Sequence, residues 1–138
     1  MATRRYLSAS EDETVAIGRQ IAASLPANAA LLLDGDLGAG KTVLTRGVAL
    51  HLGIDPNEIQ SPTFTLVREH SGPGGRLIHA DLYRLKPEEA EAIGLEELLV
   101  GPGLKVIEWS ERLPFEVSGA VRFLLRRVGE RGREIVEE

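Results

Sequence analysis

Apolar residues recur at helical spacing in the first part of the chain. Ile17, Ile21 and Leu25 fall on one face of a helix. The segment Ser10–Glu13 has the S-x-x-E form of a capping box, with acidic residues in its first turn, and Pro26 cannot continue a helix. The pattern therefore predicts an amphipathic helix that begins after Ser10, ends before Pro26 and packs on a core through one face.

A fully apolar run, Ala30–Leu33, follows that helix. Such a run is typical of a parallel strand that is buried on both faces. Glycine-rich sequence comes next, and apolar residues then return at helical spacing from Val43 to Leu52, where Gly53 is in the position of a C-terminal cap. The sequence thus predicts a buried strand, a tight turn and a second helix in immediate succession.

Strand-like patterns dominate the second half of the chain. Residues 61–67 and 76–85 flank a glycine-rich tip at 71–75, which predicts an antiparallel hairpin. Residues 104–109 form a short apolar strand that ends in an acid, and the alternation within residues 121–136 predicts a closing hairpin.

Two weaker signals complete the pattern. Residues 4–9 are weakly strand-like. Pro87-Glu88-Glu89 is typical of a helix start, with proline in the first turn and acids at the positive end of the helix dipole. Gly94 interrupts this helix, and the leucines that follow it are expected to pack on the core.

The composition indicates one domain. The chain has 138 residues, of which 43% are hydrophobic and 27% are charged, so residues 1–138 are expected to form a single domain with a proper core. Cysteine is absent, so oxygen atoms are the expected metal ligands. The chain has neither a secretory signal pattern nor a run approaching the roughly 20 apolar residues of a membrane span, so we expect a soluble, cytoplasmic protein.

The turn between the predicted buried strand and the second helix carries a recognisable motif. Residues 35–42, Gly-Asp-Leu-Gly-Ala-Gly-Lys-Thr, fit G-x-x-x-x-G-K-[ST], the phosphate loop of many nucleotide-binding proteins. Lys41 would reach the β- and γ-phosphates, and Thr42 would offer its hydroxyl to Mg²⁺. The alternative is a glycine-rich surface turn, but the flanking strand and helix favour the phosphate loop. The N-K-x-D sequence that reads guanine is absent, so adenine is the expected base.

Two carboxylates are candidates to act beside that loop. Glu108 ends the apolar strand at 104–109, as expected of a Walker B acid that meets the metal, although an acid can also simply end a strand. Asp81 shares a strand face with His79 and Tyr83. If that face turns towards the phosphates, Asp81 is a candidate to support the metal or position water. If the face meets solvent, it is an ordinary polar strand face.

Other polar residues have two interpretations each. Thr63 is either a switch residue that senses the γ-phosphate or a good strand former. The six arginines between Arg112 and Arg133 form either a basic face or, as we favour, a solvated strand face. The net charge of −5 argues against a chain that holds nucleic acid by itself.

Four sequence blocks together resemble the TsaE (YjeE) family, and the resemblance runs from the first helix to Arg133. The blocks are residues 35–42, Ser61–Leu66, His79–Leu85 and Ile107-Glu108-Trp109. The family is the small bacterial ATPase of the pathway that installs threonylcarbamoyl on the adenosine beside the tRNA anticodon. The resemblance implies a P-loop NTPase-like three-layer α/β fold, with a mixed sheet that has a parallel core and antiparallel hairpins.

The resemblance also implies a set of ligands and partners. ATP and Mg²⁺ are the expected cofactors, TsaB and TsaD the expected protein partners, and tRNA an indirect partner through their complex. Thr42 and Glu108 are expected to hold Mg²⁺. The residues expected to contact nucleotide are Ser10, Glu11, Leu37, Gly38, Ala39, Gly40, Lys41, Thr42, Thr63, Trp109 and Arg133. The residues expected to be catalytic are Lys41, Thr42, Asp81 and Glu108.

The sequence leaves two alternatives to a partner-stimulated ATPase. A small-molecule kinase would share the phosphate loop and use Asp81 as the base, but no long or basic insert lies between Leu85 and Leu104. A nucleotide-dependent RNA-binding module would instead use the arginines up to Arg133. No arginine is clearly placed to act as a finger in cis, so the expected ATPase is weak alone and is completed by its partners.

Overall fold

The strands that the structure describes form one mixed sheet. The computed structural model describes residues 3–60, 66–86, 88–89 and 94–138. The strands in this part are β1 (Arg5–Ser8), β2 (Ala30–Asp34), β3 (Val67–Gly72), β4 (Gly75–Asp81), β5 (Leu104–Glu108), β6 (Val121–Val128) and β7 (Gly132–Glu137). The α-helices are α1 (Glu11–Ser24), α2 (Lys41–His51) and α3 (Leu95–Val100), and Pro56–Glu58 and Ser110–Arg112 are single turns of 3₁₀ helix.

The centre of the sheet is parallel and its two ends are antiparallel. The strand order is β1-β7-β6-β2-β5-β4-β3. Strands β6, β2, β5 and β4 run parallel, whereas β1 and β7 pair antiparallel at one end and β3 pairs antiparallel with β4 at the other. This arrangement confirms the predicted mixed sheet with a parallel core. Because the carboxyl ends of parallel strands share one edge, the ends of β2, β4 and β5 come together there.

Strand β2 is buried on both faces, which explains its continuous apolar run. Leu31 and Leu33 belong to a core beneath α1 and α2, while Ala30 and Leu32 belong to a second core on the opposite face, together with Leu95 from α3. The two cores give three layers: helices α1 and α2, the sheet, and α3 with the segments around it. The predicted three-layer fold is therefore confirmed.

Helices α1 and α2 approach each other through glycine. A methyl group added at Gly47 would lie only 2.0 Å from the carbonyl oxygen of Val15, and one added at Gly18 would lie 2.1 Å from that of Leu44. Side chains larger than hydrogen cannot fit at either point, so the two backbones meet directly. This contact fixes the position of α1 relative to α2.

The ends of α1 and α2 follow the sequence signals. Ser10 is the N-cap of α1, and its Oγ accepts a hydrogen bond from the Glu13 amide at 3.1 Å. Helix α1 ends at Ser24, before Pro26, and α2 is followed by Gly53 with a φ of 74°. Both helices were predicted close to these bounds. In the described part of the chain, no helix has the length and apolar character needed to cross a membrane.

The structure corrects one predicted strand. The strand expected over residues 76–85 ends at Asp81, and Tyr83 and Arg84 lie in a turn that follows it. Period-two alternation continued by chance past the true strand end, so Tyr83 does not share a strand face with His79 and Asp81. The predicted strand start at 61–65 and most of the helix predicted from Pro87 fall outside the described residues.

Candidate functional site

A cavity of about 790 Å³ lies at the edge of the sheet where the parallel strands end. Its walls come from residues 37–43 of the glycine-rich turn and α2, from the start of α1, from the ends of β4 and β5, and from the β6–β7 turn. The volume is in the range of small-molecule sites. Sequence segments that are far apart in the chain thus meet around one opening.

The glycine-rich turn adopts a conformation that requires its glycines. Gly35, Gly38 and Gly40 have φ values of 142°, 77° and 103°, in the region that other residues avoid. A methyl group on Gly35 would also lie 2.4 Å from the carbonyl oxygen of Leu125. Gly40 is the N-cap of α2, so the turn delivers the chain to the positive end of that helix. This geometry suits an anion held by backbone N–H groups.

Lys41 is buried at the start of α2. Lys41 is 5% exposed. Its ammonium group donates hydrogen bonds to the carbonyl oxygen of Gly35 and to that of Asp36, the latter at 2.9 Å. The ammonium also lies 4.1 Å from the centroid of the Trp109 ring. Burial lowers the pKa of Lys41, and the nearby Glu108 carboxylate partly opposes that shift. A cation is therefore fixed inside the cavity beside the turn.

Thr42 and Glu108 are brought together as the sequence predicts for a metal site. The Thr42 hydroxyl lies 3.0 and 3.1 Å from the two carboxylate oxygens of Glu108, to which it can donate. Glu108 is 2% exposed at the end of β5. A hydroxyl and a carboxylate are hard oxygen donors of the kind that Mg²⁺ prefers. The described residues contain no group of three or more His, Cys, Asp or Glu able to hold a metal. Mg²⁺ commonly keeps water and phosphate ligands beside one or two protein oxygens, which this pair of donors fits.

The sequence analysis did not select His79 as a site residue. Its Nε2 lies 2.5 Å from Glu108 Oε2, and its side chain has 0% exposure. The signal that could have identified His79 was the alternation pattern, which placed it on the same strand face as Asp81. That face is turned towards the interior, not towards solvent.

Asp81 and the aromatic residues near it line the cavity from the β4 side. Asp81 is half-buried, lies opposite Glu108 in the strand register, and accepts a hydrogen bond from the Tyr83 amide at 3.0 Å. The Tyr83 ring packs against the Trp109 ring, with their centroids 4.8 Å apart. The Arg112 guanidinium also lies near Tyr83, at 5.8 Å from the ring centroid.

Ser10 and Glu11, which were expected contacts, also line the cavity. Arg133 reaches the same opening from β7, and its Nε lies 3.6 Å from the point that a methyl group on Gly40 would occupy. Arg127 makes a similar approach to Gly38 and was not predicted. Thr63, the proposed switch residue, falls outside the described part of the chain.

The arginines between Arg112 and Arg133 do not form one basic face. Arg122 pairs with Asp34 at 3.3 Å, and Arg126 pairs with Glu134 at 2.8 Å on the exposed surface of the sheet. The cavity is lined by Arg127, Arg131 and Arg133. Some of these arginines therefore pair with carboxylates on the surface, and others line the cavity.

Comparison with known proteins gives one consistent family. The family model described as threonylcarbamoyl adenosine biosynthesis protein TsaE matches residues 8–135. A Nostoc protein named tRNA threonylcarbamoyladenosine biosynthesis protein TsaE is 41% identical over 130 residues, which cover 91% of this chain and 80% of that protein. A Bacillus subtilis protein of the same name is 38% identical over 135 residues, covering 95% and 82% of the two chains.

A solved structure agrees with these sequence matches. The crystal structure of Bacillus subtilis YdiB is similar over 99% of this chain and 84% of its own, with a TM-score of 0.74 and 33% sequence identity. The family model and the relatives each span most of the residues described above, including the glycine-rich turn and both carboxylates. The chain therefore belongs to the TsaE family.

Proposed function

We propose that this protein is a Mg²⁺-dependent ATPase of tRNA threonylcarbamoyladenosine biosynthesis. One observation supports the chemistry above all: Lys41 and Thr42 begin a helix beside a buried carboxylate, Glu108, in a single cavity. Membership of the TsaE family supports the pathway. ATP is proposed as the nucleotide, and not GTP, because the N-K-x-D sequence that reads guanine is absent.

Binding of the phosphates is the task of the glycine-rich turn and Lys41. Residues 37–42 line the cavity, where backbone N–H groups of the turn would bind the β- and γ-phosphates. The Lys41 ammonium, which now binds the carbonyls of Gly35 and Asp36, would bind phosphate oxygens instead. Because Lys41 is desolvated, its attraction for phosphate is stronger than that of a surface lysine.

Thr42 and Glu108 would hold Mg²⁺. The bound ion supplies positive charge that neutralises the phosphates as the γ-phosphoryl group departs. The hydrogen bond from the Thr42 hydroxyl to Glu108 turns the remaining lone pairs of that oxygen away from the carboxylate. Glu108 therefore orients Thr42 as well as contributing negative charge.

Asp81 is the proposed group for orienting the attacking water. It lines the cavity next to Glu108 in the strand register and is half-buried. A carboxylate at this point can accept a hydrogen bond from water and hold it in line with the phosphoryl group. Loss of this carboxylate should reduce turnover more than nucleotide affinity.

We propose that TsaB and TsaD complete or gate the hydrolysis. A transition-state arginine supplied by a partner can raise the rate by roughly 10³–10⁵. The cavity opens to the protein surface beside Leu37, a turn residue that is 63% exposed. Nucleotide binding and partner binding would thus involve neighbouring surfaces and influence each other.

The test is phosphate release from Mg-ATP, measured for this chain alone and with TsaB and TsaD. We expect low release alone, stimulation by the partners, and a loss of about 100-fold or more in Lys41→Ala and Glu108→Ala. Arg126→Ala is the matched control, because Arg126 is 65% exposed and pairs with Glu134 outside the cavity. Release that is unaffected by Lys41→Ala would contradict the proposed site, and partners without effect would contradict the proposed gating.

The alternatives have measurements of their own. A small-molecule kinase would convert ATP to ADP without releasing phosphate, and only when an acceptor is present. An RNA-binding module would bind tRNA alone with an affinity that falls steeply with salt. Salt-sensitive tRNA binding by this chain alone is not expected, because Arg122 and Arg126 are paired with carboxylates on the sheet surface. Acceptor-dependent transfer is not expected because the sequence has no long or basic insert between Leu85 and Leu104.

A further inference from the structure

We infer that His79 is a positioning residue for the metal site and acts by fixing the Glu108 carboxylate. This inference rests on the proposed function, in which Glu108 and Thr42 hold Mg²⁺. His79 and Glu108 belong to the neighbouring parallel strands β4 and β5. Their side chains are 0% and 3% exposed, and His79 Nε2 lies 2.5 Å from Glu108 Oε2.

Two groups hold the Glu108 carboxylate from different directions. Thr42 approaches both of its oxygens, at 3.0 and 3.1 Å, and His79 approaches Oε2. With both groups in place, the carboxylate has one orientation, and that orientation aims it at Thr42. Without His79, Oε2 would lose a buried donor and the carboxylate could turn away from the metal position.

The location of His79 shows that it acts indirectly. The side chain is fully buried, and the described residues of β4 and β5 that line the cavity are Asp81 and Glu108. His79 therefore cannot touch a nucleotide or metal in the cavity without a rearrangement of the sheet. Its influence on the site passes through Glu108.

The second ring nitrogen gives the orientation of the imidazole. His79 Nδ1 is buried and has no hydrogen-bond partner among the described residues. A neutral imidazole carries one N–H, and placing it on Nε2 satisfies the contact with the carboxylate, which can only accept. The unpartnered Nδ1 makes His79 a costly choice for simple packing, because an apolar residue would fill the same space without a desolvated polar atom.

Paired substitutions can separate positioning from packing. In His79→Gln, the side-chain amide can place an N–H near the position of Nε2. In His79→Asn, the shorter amide reaches only the neighbourhood of Nδ1 and cannot contact Glu108. Both variants introduce a polar amide at the same buried site. His70→Leu serves as a control in the adjacent strand β3, because it changes a half-buried histidine that does not contact Glu108.

The measurement is the Mg²⁺ concentration that gives half-maximal enhancement of ATP binding, determined by calorimetry on the folded full-length chain. We expect His79→Asn to require about 10- to 100-fold more Mg²⁺ than the wild type, as for other residues that support metal ligands. His79→Gln and His70→Leu should remain close to the wild type. ATP binding without Mg²⁺ should be equal in all four proteins.

Three results would overturn the inference. The first is a His79→Asn protein with the Mg²⁺ requirement of the wild type. The second is equal weakening in His79→Asn and His79→Gln, which would indicate a packing role. The third is wild-type ATP binding that ignores Mg²⁺, which would overturn the proposed metal site together with this inference. The wild-type titration thus tests the proposed function, and the comparison of variants tests His79.

Discussion

The ammonium group of Lys41 lies over the ring of Trp109, 4.1 Å from its centroid. Trp109 has a φ of 59°, a left-handed conformation that turns the chain sharply at the end of β5. The Trp109 ring also packs against the ring of Tyr83. The cation at the start of α2 and the aromatic residue that follows β5 are therefore in direct contact.

This contact predicts an optical signal for nucleotide binding. Trp109 is the one tryptophan of the chain, so its emission reports on this site alone. Binding of Mg-ATP should draw the Lys41 ammonium towards the phosphates and change the emission in a saturable way. Titration of the wild type with Mg-ATP checks this, with Lys41→Met as the variant that should give no saturable change. A constant wild-type emission at nucleotide concentrations that saturate calorimetric binding would refute the expected movement.

Arg133 should contribute to nucleotide affinity in a way that other arginines of the same hairpin do not. It lies beside Gly40 and lines the cavity, so its guanidinium is positioned for a charged ligand. Arg133→Ala should weaken ATP binding by about 10- to 100-fold, the value of one charge-assisted hydrogen bond. Calorimetric titration with Mg-ATP gives the two dissociation constants.

Arg126→Ala supplies the comparison for that measurement. Arg126 lies on the neighbouring strand β6, is 65% exposed and pairs with Glu134 outside the cavity. Its loss should leave ATP affinity within a factor of about two, since exposed ion pairs contribute little. Equal losses of ATP affinity in Arg133→Ala and Arg126→Ala would show that affinity depends on the overall positive charge and not on the position of Arg133.

Gly47→Ala should destabilise the protein although alanine is the better helix former. The added methyl group would lie 2.0 Å from the carbonyl oxygen of Val15, which forces α1 and α2 apart. We expect a loss of about 1–3 kcal/mol in the free energy of unfolding, which exceeds the roughly 1 kcal/mol that helix propensity favours. Urea denaturation measures the change, and Gln20→Ala on the exposed surface of α1 is the control. A stabilised Gly47→Ala protein would show that the helices can separate freely.

The Arg4–Glu137 pair predicts how stability changes with pH. Arg4 Nε donates to Glu137 at 3.0 Å, and hydrogen bonds from Arg4 lower the pKa of Glu137 below its ordinary value. At pH values between the folded and the unfolded pKa of Glu137, this carboxylate therefore binds a proton more readily in the unfolded chain than in the folded one. The stabilisation is complete above the ordinary glutamate pKa and is lost as the pH falls through the lower, folded value.

The Glu137→Gln variant tests the predicted direction of the change in stability with pH. The Tm difference between the wild type and this variant should be largest near neutral pH and shrink as the pH falls to about 3. Glu116→Gln is a control, because Glu116 takes part in none of the ion pairs found among the described residues. A Tm difference that stays constant from neutral to acid pH would contradict the assignment.

The sequence predicts best where a local pattern has a single structural solution. The run Ala30–Leu33 can only be buried on both faces, and the glycines at 35, 38 and 40 require a turn that other residues cannot adopt. Glu108 follows an apolar run of strand length, so its place at a strand end was also predictable. These signals together gave the position of the cavity.

Other features depend on contacts that no local pattern encodes. The alternation that included Tyr83 in β4 continues past Asp81, where the chain turns because Asp81 accepts a hydrogen bond from the Tyr83 amide. His79 becomes a site residue only because β5 places Glu108 beside it, and Arg127 only because β6 lies next to β2. Pairing between strands that are distant in the chain decides these cases. The single-domain organisation over residues 1–138 stays a prediction.

The direct meeting of α1 and α2 at Gly18 and Gly47 limits how this cavity can change during evolution or engineering. Ser10 and Lys41 lie at the starts of the two helices and both line the cavity, so the distance between them is set by a backbone contact and not by any side chain. The β6–β7 turn takes no part in that helix contact; its residues Glu130 and Arg131 line the opening, as does Arg127 near the end of β6. A different base or a bulkier nucleotide analogue would therefore be accommodated most readily by redesigning that turn.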